Sequence, residues 1–402
     1  MKKFFLPNTS KELKIYFVII ALTALALGFS NDVMSNYFKD AYNITTFQRG
    51  FIEFPRETPG FLCIFILAAL GFLKDIRIAI ISQLFGAIGI AALGLFTPPF
   101  AIMLVFLFIN SVGMHMFMPL QDGIGISLID TKNVGKRMGQ FKGITTAFQM
   151  IGAVLVLIGF RSGFFSFSKP VKSNFLISAF ILGIVVLLLL ILDKFLHDHS
   201  KIKGKQKFVF RKEYKYYYIL VIMFGVQKQM MIVYGPWVLI DLLSKKVDTI
   251  AVLSILGSLV GVFFIPAVGR WLDRFGIKKL LYADALSFIV VYTLYGLLSM
   301  GYANGTLAKV GIPAFLAYGL YIIDRMSTQL GLVRTVYLRS IAVEDSDITP
   351  TLSLGISMDH LVSIISAYIG GIVWSAWGPQ FIFFLAASLS FINLYIAIKV
   401  TE

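Results

Sequence analysis

The sequence predicts an all-α membrane protein that crosses a bilayer twelve times. Three observations carry that reading. Apolar residues make up 58% of the 402-residue chain and charged residues 14%, against roughly a quarter charged in soluble domains. Apolar runs recur from end to end, many near the roughly 20 residues a helix needs to cross the hydrocarbon. The runs are continuous, which excludes the alternating pattern of a β-barrel and leaves helices as the way to satisfy backbone groups without water.

The first predicted span, 15–38, follows Lys2, Lys3, Lys11 and Lys14 and carries Asn31-Asp32. Basic residues, an apolar stretch and Ala24-Leu25-Ala26 mimic a signal peptide. Cleavage there would leave an odd number of spans and spoil the charge alternation, so the segment reads as a retained helix. The second span, 46–72, opens on RGFIEFPRETPG and continues as FLCIFILAALGFL. The third is 76–96, and the fourth, 99–128, holds Ser111, His115 and Asp122. The fifth, 138–160, has spaced glycines and Lys142 near its start; the sixth is 172–192. The seventh, 214–243, contains Gln227, Lys228 and Gln229, and the eighth and ninth are 248–268 and 279–300. The tenth, 307–338, holds Asp324, Arg325 and Arg334. The eleventh, 350–376, holds Asp359 and His360, and the twelfth is 379–399.

The polar stretch DKFLHDHSKIKGKQKFVFRKEYK separates two halves of six helices. The expected organisation is an N-terminal bundle over 1–192, a basic cytoplasmic linker over 193–213 and a C-terminal bundle over 214–402. A formal net charge of +15 raises the question of nucleic acid. The basic residues fall instead in every second loop, eight of them between Lys194 and Lys215. That is the positive-inside bias, and it places both termini in the cytoplasm of a multi-pass plasma-membrane protein with no nucleic-acid partner. Arg334, Arg339 and Lys142 are expected to snorkel to the cytoplasmic interface. Cys63 is the sole cysteine, so there is no disulfide framework and no cysteine metal site. His197 and His199 have only each other at ligand spacing and read as a solvated loop, with no metal expected.

The halves look related. Gly71, Asp75 and Arg77 open a short basic turn after span two, and Gly269, Asp273 and Arg274 do so after span eight. A similar offset carries Asn31-Asp32 onto Gln227-Lys228, and a slightly longer one carries His115 onto Asp324-Arg325. Internal symmetry of this kind is how many secondary transporters are built. The stretch GRWLDRFGIKK resembles the signature loop of the major facilitator superfamily, G-x-x-x-D-[RK]-x-G-[RK]-[RK], with small differences in spacing. The first-half copy departs from the pattern at Ile76 and Arg77. The resemblance covers the whole chain, since twelve spans, a central basic loop and paired loops coincide. It implies two pseudo-symmetric six-helix bundles, a path lined by helices one, four, seven and ten, and a cytoplasmic gate. Asp273 and Arg274 would form that gate, with Gly269 beside them and Gly71, Asp75 and Arg77 as its weaker counterpart.

Charges within spans point to the chemistry. At 100° per residue Arg49, Glu53 and Arg56 share one narrow stripe of span two, Glu57 borders it, and Phe51, Phe54 and Phe61 lie opposite. A charge at mid-bilayer costs at least about 2.5 kcal/mol, so each needs a partner or an aqueous cavity. Pro55 and Pro59 each remove a backbone donor at the same depth, tolerable where a helix lines a cavity. An architectural salt-bridge cluster is the alternative. Arg56, Lys228 and Arg325 are the expected binders of an anionic group, helped by Glu57, His115, Gln227 and Asp324, because the guanidinium fork matches carboxylate or phosphate. Asp32, Glu53, Glu57 and Asp359 are the expected carriers of the coupling ion, with His115 and His360 as relays; a proton is expected, with sodium the alternative.

The function this predicts is secondary active transport of a small polar or anionic organic solute by alternating access, as a proton-coupled symporter and monomer without cofactor. An efflux transporter and a lipid or lysolipid flippase are the alternatives on the same scaffold. The Gly-Pro motif that superfamily exporters carry in helix five is absent from span five. No nucleophile stands at useful spacing from His115 and Asp122 or from Asp359 and His360, so an enzyme is not expected.

Overall fold

Long apolar runs become helices because a helix satisfies every internal backbone group within the segment. A computed structural model describes residues 10–129, 134–196, 209–344 and 347–400, and among them no strand occurs. The helices are α1 (Lys11–Ser30), α2 (Met34–Tyr42), α3 (Thr46–Phe51), α4 (Glu53–Ala69), α5 (Asp75–Leu95), α6 (Phe100–Ser127), α7 (Val134–Arg161) and α8 (Ser173–Phe195). They continue as α9 (Lys215–Trp237), α10 (Val247–Ala303), α11 (Ile312–Ser327), α12 (Gly331–Ile341), α13 (Ile348–Trp377) and α14 (Pro379–Lys399).

Among the described residues nine helical segments are long and apolar enough to cross a membrane. The longest, α10, is two spans joined at Gly276, whose φ of 80° and ψ of 169° only glycine adopts readily. Two further spans are interrupted. The second is cut at Ile52 and begins among charges; the tenth is cut by a 3-10 turn at Thr328–Leu330. Together they account for the twelve predicted crossings.

Several boundaries differ from expectation. Span one is two helices, broken at Asn31–Val33, where Asn and Asp side chains compete with the helical ladder. Span two stops at Ala69 and span ten starts at Ile312. The helix of span eight runs on through Gly269, Asp273 and Arg274 to Gly276, so the signature residues sit on a helix end, not in a loop.

The chain forms two compact units. The first comprises 1–34 and 62–204, the second 35–61 and 205–402. In the first, α1 packs on α7 and α8, and α5 on α6 and α8. Tyr16, Phe17, Phe141, Val185 and Leu189 fill its core. Small residues permit the closest crossing: a Cβ at Gly113 would lie 2.3 Å from the Gly86 backbone nitrogen. In the second unit, α10 packs on α14 and α11, and α9 on α13 and α14. Residues 35–61 join this unit because α3 lies on α13. A Cβ at Gly50 would stand 2.4 Å from the Ala367 carbonyl oxygen. Residues 197–208 of the expected linker, with His197 and His199, and Lys2 and Lys3 lie outside the described residues.

Candidate functional site

Three of the charges opening span two, Arg49, Glu53 and Arg56, hold one another, and α9 adds a further hydrogen bond. Glu53 is 0% exposed and Arg49 1%. The Arg49 guanidinium donates to Glu53 Oε1 at 2.6 Å, and Arg56 donates to the same oxygen at 2.8 Å. The spacings of four and three residues put all three on one helical face, as the stripe predicts. Gln229 of α9 donates to Glu53 Oε2 at 3.0 Å. Arg49 also reaches Ser35 Oγ at 3.3 Å and lies 5.8 Å from the Phe38 ring centroid. Phe51 and Phe54 are exposed on the opposite side and stack on each other. A carboxylate flanked by two guanidiniums is how a chain tolerates buried charge: each partner offsets the other's desolvation.

Two more ion pairs stand in the same unit. Lys228 of α9 pairs with Asp359 of α13, their side chains 22% and 17% exposed. Glu57 of α4 pairs with His360 of α13, 2.9 Å from Oε2 to Nδ1. Glycines admit both contacts. A Cβ at Gly225 would lie 2.6 Å from Asp359 Oδ1, and one at Gly60 would lie 2.6 Å from the His360 ring. Thus α4, α9 and α13 are cross-linked by charge, with Arg56 the most accessible member at 31%.

Not every expected site residue joins this group. Gln227 was expected to bind solute, but it points into α14. Its amide donates to Ser390 Oγ at 2.7 Å and accepts from Asn393 at 3.1 Å, one helical step away from the face that carries Lys228. Asp324 is buried. Arg325 donates to the Tyr321 hydroxyl at 3.1 Å. Arg334, expected to snorkel, is buried instead. It pairs with Asp284 at 2.6 Å and lies 3.8 Å from the Phe224 ring centroid, because α10 supplies a carboxylate at its depth. Arg339 and Lys142 are exposed, as snorkelling requires.

In the first unit, Asp32 is half-buried in the break between α1 and α2. His115 Nδ1 lies 3.0 Å from Ser111 Oγ, one turn earlier on α6, and its carbonyl accepts from Cys63 at 3.2 Å. Asp75 opens α5, where a carboxylate meets the helix dipole favourably. Arg77 contacts Asp193 of α8 at 3.4 Å, tying two helices of one unit. In the second unit Asp273 and Arg274 are exposed, Gly269 meets no atom within 4 Å of a Cβ position, and Gly71 of the first unit lies in the turn after α4.

Among the ion pairs that escaped the sequence reading are Arg334 with Asp284 and Lys39 with Asp241. Asp284 stands alone in the apolar run LYADALSF, and a lone acid in a span is itself the signal. Lys39 and Asp241 pair at 2.5 Å at the end of α2 and the π-helical turn that follows α9. They are 202 residues apart, and no local pattern links them.

The major facilitator superfamily profile matches residues 16–342. The chain belongs to the Major Facilitator Superfamily. Solved structures agree on the fold. A variant of the nucleoside transporter NupG superposes with a TM-score of 0.78 at 14% identity, covering 98% of this chain and 100% of that one. A POT family transporter bound to a thioalcohol-conjugated peptide gives 0.76 at 12%, covering 97% and 96%. A bacterial homologue of the human lysosomal transporter Spinster gives 0.68 at 14%, covering 98% of each. No curated protein matches the sequence. Membership makes this superfamily protein a multi-pass membrane transporter and not an enzyme, and accounts for the signature residues that surround the Gly276 turn.

Proposed function

We propose that this superfamily member is a proton-coupled symporter that brings a small polar or anionic organic solute across the plasma membrane by alternating access. It works as a monomer with both termini in the cytoplasm and the two halves of the chain as its moving bundles. The observation that carries the reading is the Lys228–Asp359 pair, inside a span, partly accessible, and with Asp359 Oδ1 lacking a hydrogen-bond partner. A purely architectural pair would be expected to be fully enclosed, as Arg334 and Asp284 are.

The mechanism follows from charge. Protonation of Asp359 removes the charge that holds Lys228, and the freed ammonium then accepts an anionic group of the solute. Proton and solute load together because each makes the other's binding less costly. Arg56 offers a second cation of planar geometry, and protonation of Glu57 or His360 alters its neighbourhood in the same way. Nucleosides, peptides and 5-aminolevulinic acid occur in the names of similar structures and supply the first probes.

The test uses purified protein in vesicles with an inward proton gradient. Uptake of a labelled nucleoside, a dipeptide, 5-aminolevulinic acid and small carboxylates is measured with a lumenal pH dye. One of these should accumulate and acidify the lumen, while Lys228→Met and Asp359→Asn should each reduce gradient-driven uptake at least tenfold. Accumulation that persists after collapse of the proton gradient, or unchanged coupled uptake in both variants, would reject the assignment.

A further inference from the structure

Glu53 opens α4 and is 0% exposed. Its Oε1 accepts from the Arg49 guanidinium at 2.6 Å and from that of Arg56 at 2.8 Å. Its Oε2 accepts from the Gln229 amide of α9 at 3.0 Å. A guanidinium keeps its protons and has no acceptor atom, so both Arg contacts need an oxygen that accepts. A proton on Oε1 would face two guanidinium N–H groups, and one on Oε2 would displace the Gln229 donor.

Loss of the charge would cost more than these bonds. Arg49 is 1% exposed, and its remaining partners among the described residues are uncharged: Ser35 Oγ at 3.3 Å and the Phe38 ring. Its Nε is already buried without a partner. Tyr234 of α9, beside Gly50, donates its hydroxyl to the Ala367 carbonyl of α13 and adds no counter-charge. A neutral Glu53 would therefore strand a buried cation, which is strongly destabilising. One carboxylate cannot balance two guanidiniums, however. Arg49 is sealed, so the surplus positive charge falls at Arg56, whose side chain is 31% exposed. The next carboxylate, Glu57, is shared with His360 of α13 at 2.9 Å. Gln229, which braces Glu53, adjoins Lys228, which pairs with Asp359, so one turn of α9 serves both cations.

We propose that Glu53 is a permanently ionised positioning residue, which fixes Arg56 as the receptor for an anionic group of the solute and carries no transported proton. Gln229 holds its second oxygen from α9. The sequence counts Glu53 among the carriers of the coupling ion; its contacts remove it from that set and leave the proton to Asp359. The receptor role rests on the proposed symport of an anionic solute. The fixed charge on Glu53 rests only on the contacts above, so the two can fail separately.

Infrared spectra of the purified protein, recorded from acidic to alkaline pH, test the charge without any solute. The carboxylic-acid C=O bands that fade as pH rises should be the same in the wild type and in Glu53→Gln. A fading band present in the wild type and missing from the variant puts a proton on Glu53 and overturns the proposal. Uptake of 5-aminolevulinic acid into vesicles tests the positioning in Glu53→Asp, which keeps the charge but draws it back by one methylene. KM should rise about tenfold while the maximal rate stays within about twofold, a split that mere loss of folded protein does not produce. Gradient-driven uptake and solute exchange should weaken together. An unchanged KM, or exchange that survives while gradient-driven uptake is lost, overturns the proposal, and this arm decides should Glu53→Gln not fold. Wild-type uptake that ignores the gradient would reject symport and leave the KM comparison standing. No wild-type uptake of this probe would reject the receptor role for it, with the infrared comparison still deciding the charge on Glu53.

Discussion

At the scale of single residues, a buried ion pair is most informative when one partner is removed. Arg334 and Asp284 are both buried, and Arg334 Nη2 and Asp284 Oδ1 have no hydrogen-bond partner. Replacing Arg334 with Met strands the Asp284 carboxylate, and stability should fall by roughly 3–5 kcal/mol. The double variant Asp284→Asn with Arg334→Met should recover most of that loss, because neither charge then remains to be desolvated. Chemical unfolding in detergent micelles measures both. A single variant as stable as the wild type would mean that the pair contributes no coupling. The stripe of Arg49, Glu53 and Arg56 was legible from helical spacing alone. The destinations of Gln227 and Gln229 were not: one faces Ser390 and Asn393, the other Glu53. Two amides two residues apart point to different sides of a helix, and only the neighbours decide which side carries chemistry.

Among elements, close approach of backbones sets the packing of α3 on α13. Gly50 is the contact point, and its nearest neighbour is a backbone oxygen that cannot swing aside. Gly50→Ala should force the helices apart and cost about 1–3 kcal/mol by overpacking. Introducing cysteines at Phe47 and Gly371, which adjoin in this crossing, provides the readout. Crosslinking should be at least several-fold slower in the Gly50→Ala background, and an unchanged rate would show that the crossing absorbs a methyl group. Breaks in helices one, two and ten were harder to foresee than the helices themselves. Pro55 and Pro59 announce a weak point in span two. The 3-10 turn of span ten runs directly into Gly331, a residue that does not by itself announce a break.

For the molecule as a whole, acid stability offers a test outside the membrane. Asp347 accepts from the Tyr214 hydroxyl at 2.7 Å and pairs with Arg211 at 2.6 Å, joining the start of the seventh span to the approach of the eleventh. The Tyr214 hydrogen bond, followed by the Arg211 contacts, holds this carboxyl below the usual carboxylate range. Its folded pKa is therefore lower than its unfolded one. The stabilisation is complete above the unfolded value, about 3.9, and disappears as pH falls through the folded value. Thermal unfolding in detergent should show a lower melting temperature for Asp347→Asn at neutral pH and a smaller loss on acidification. Parallel acid limbs in the two proteins would contradict this role. By itself, the sequence determined the helical class, the twelve crossings, the signature turn and the presence of charges too costly to face lipid, since these depend on local composition and spacing. Tertiary structure alone decided which opposite charge each one meets, joining Lys39 to Asp241, Arg334 to Asp284 and residues 35–61 to the second unit. The physical reason is that ion pairing depends on proximity in space, and in this chain the partners are often distant along the backbone.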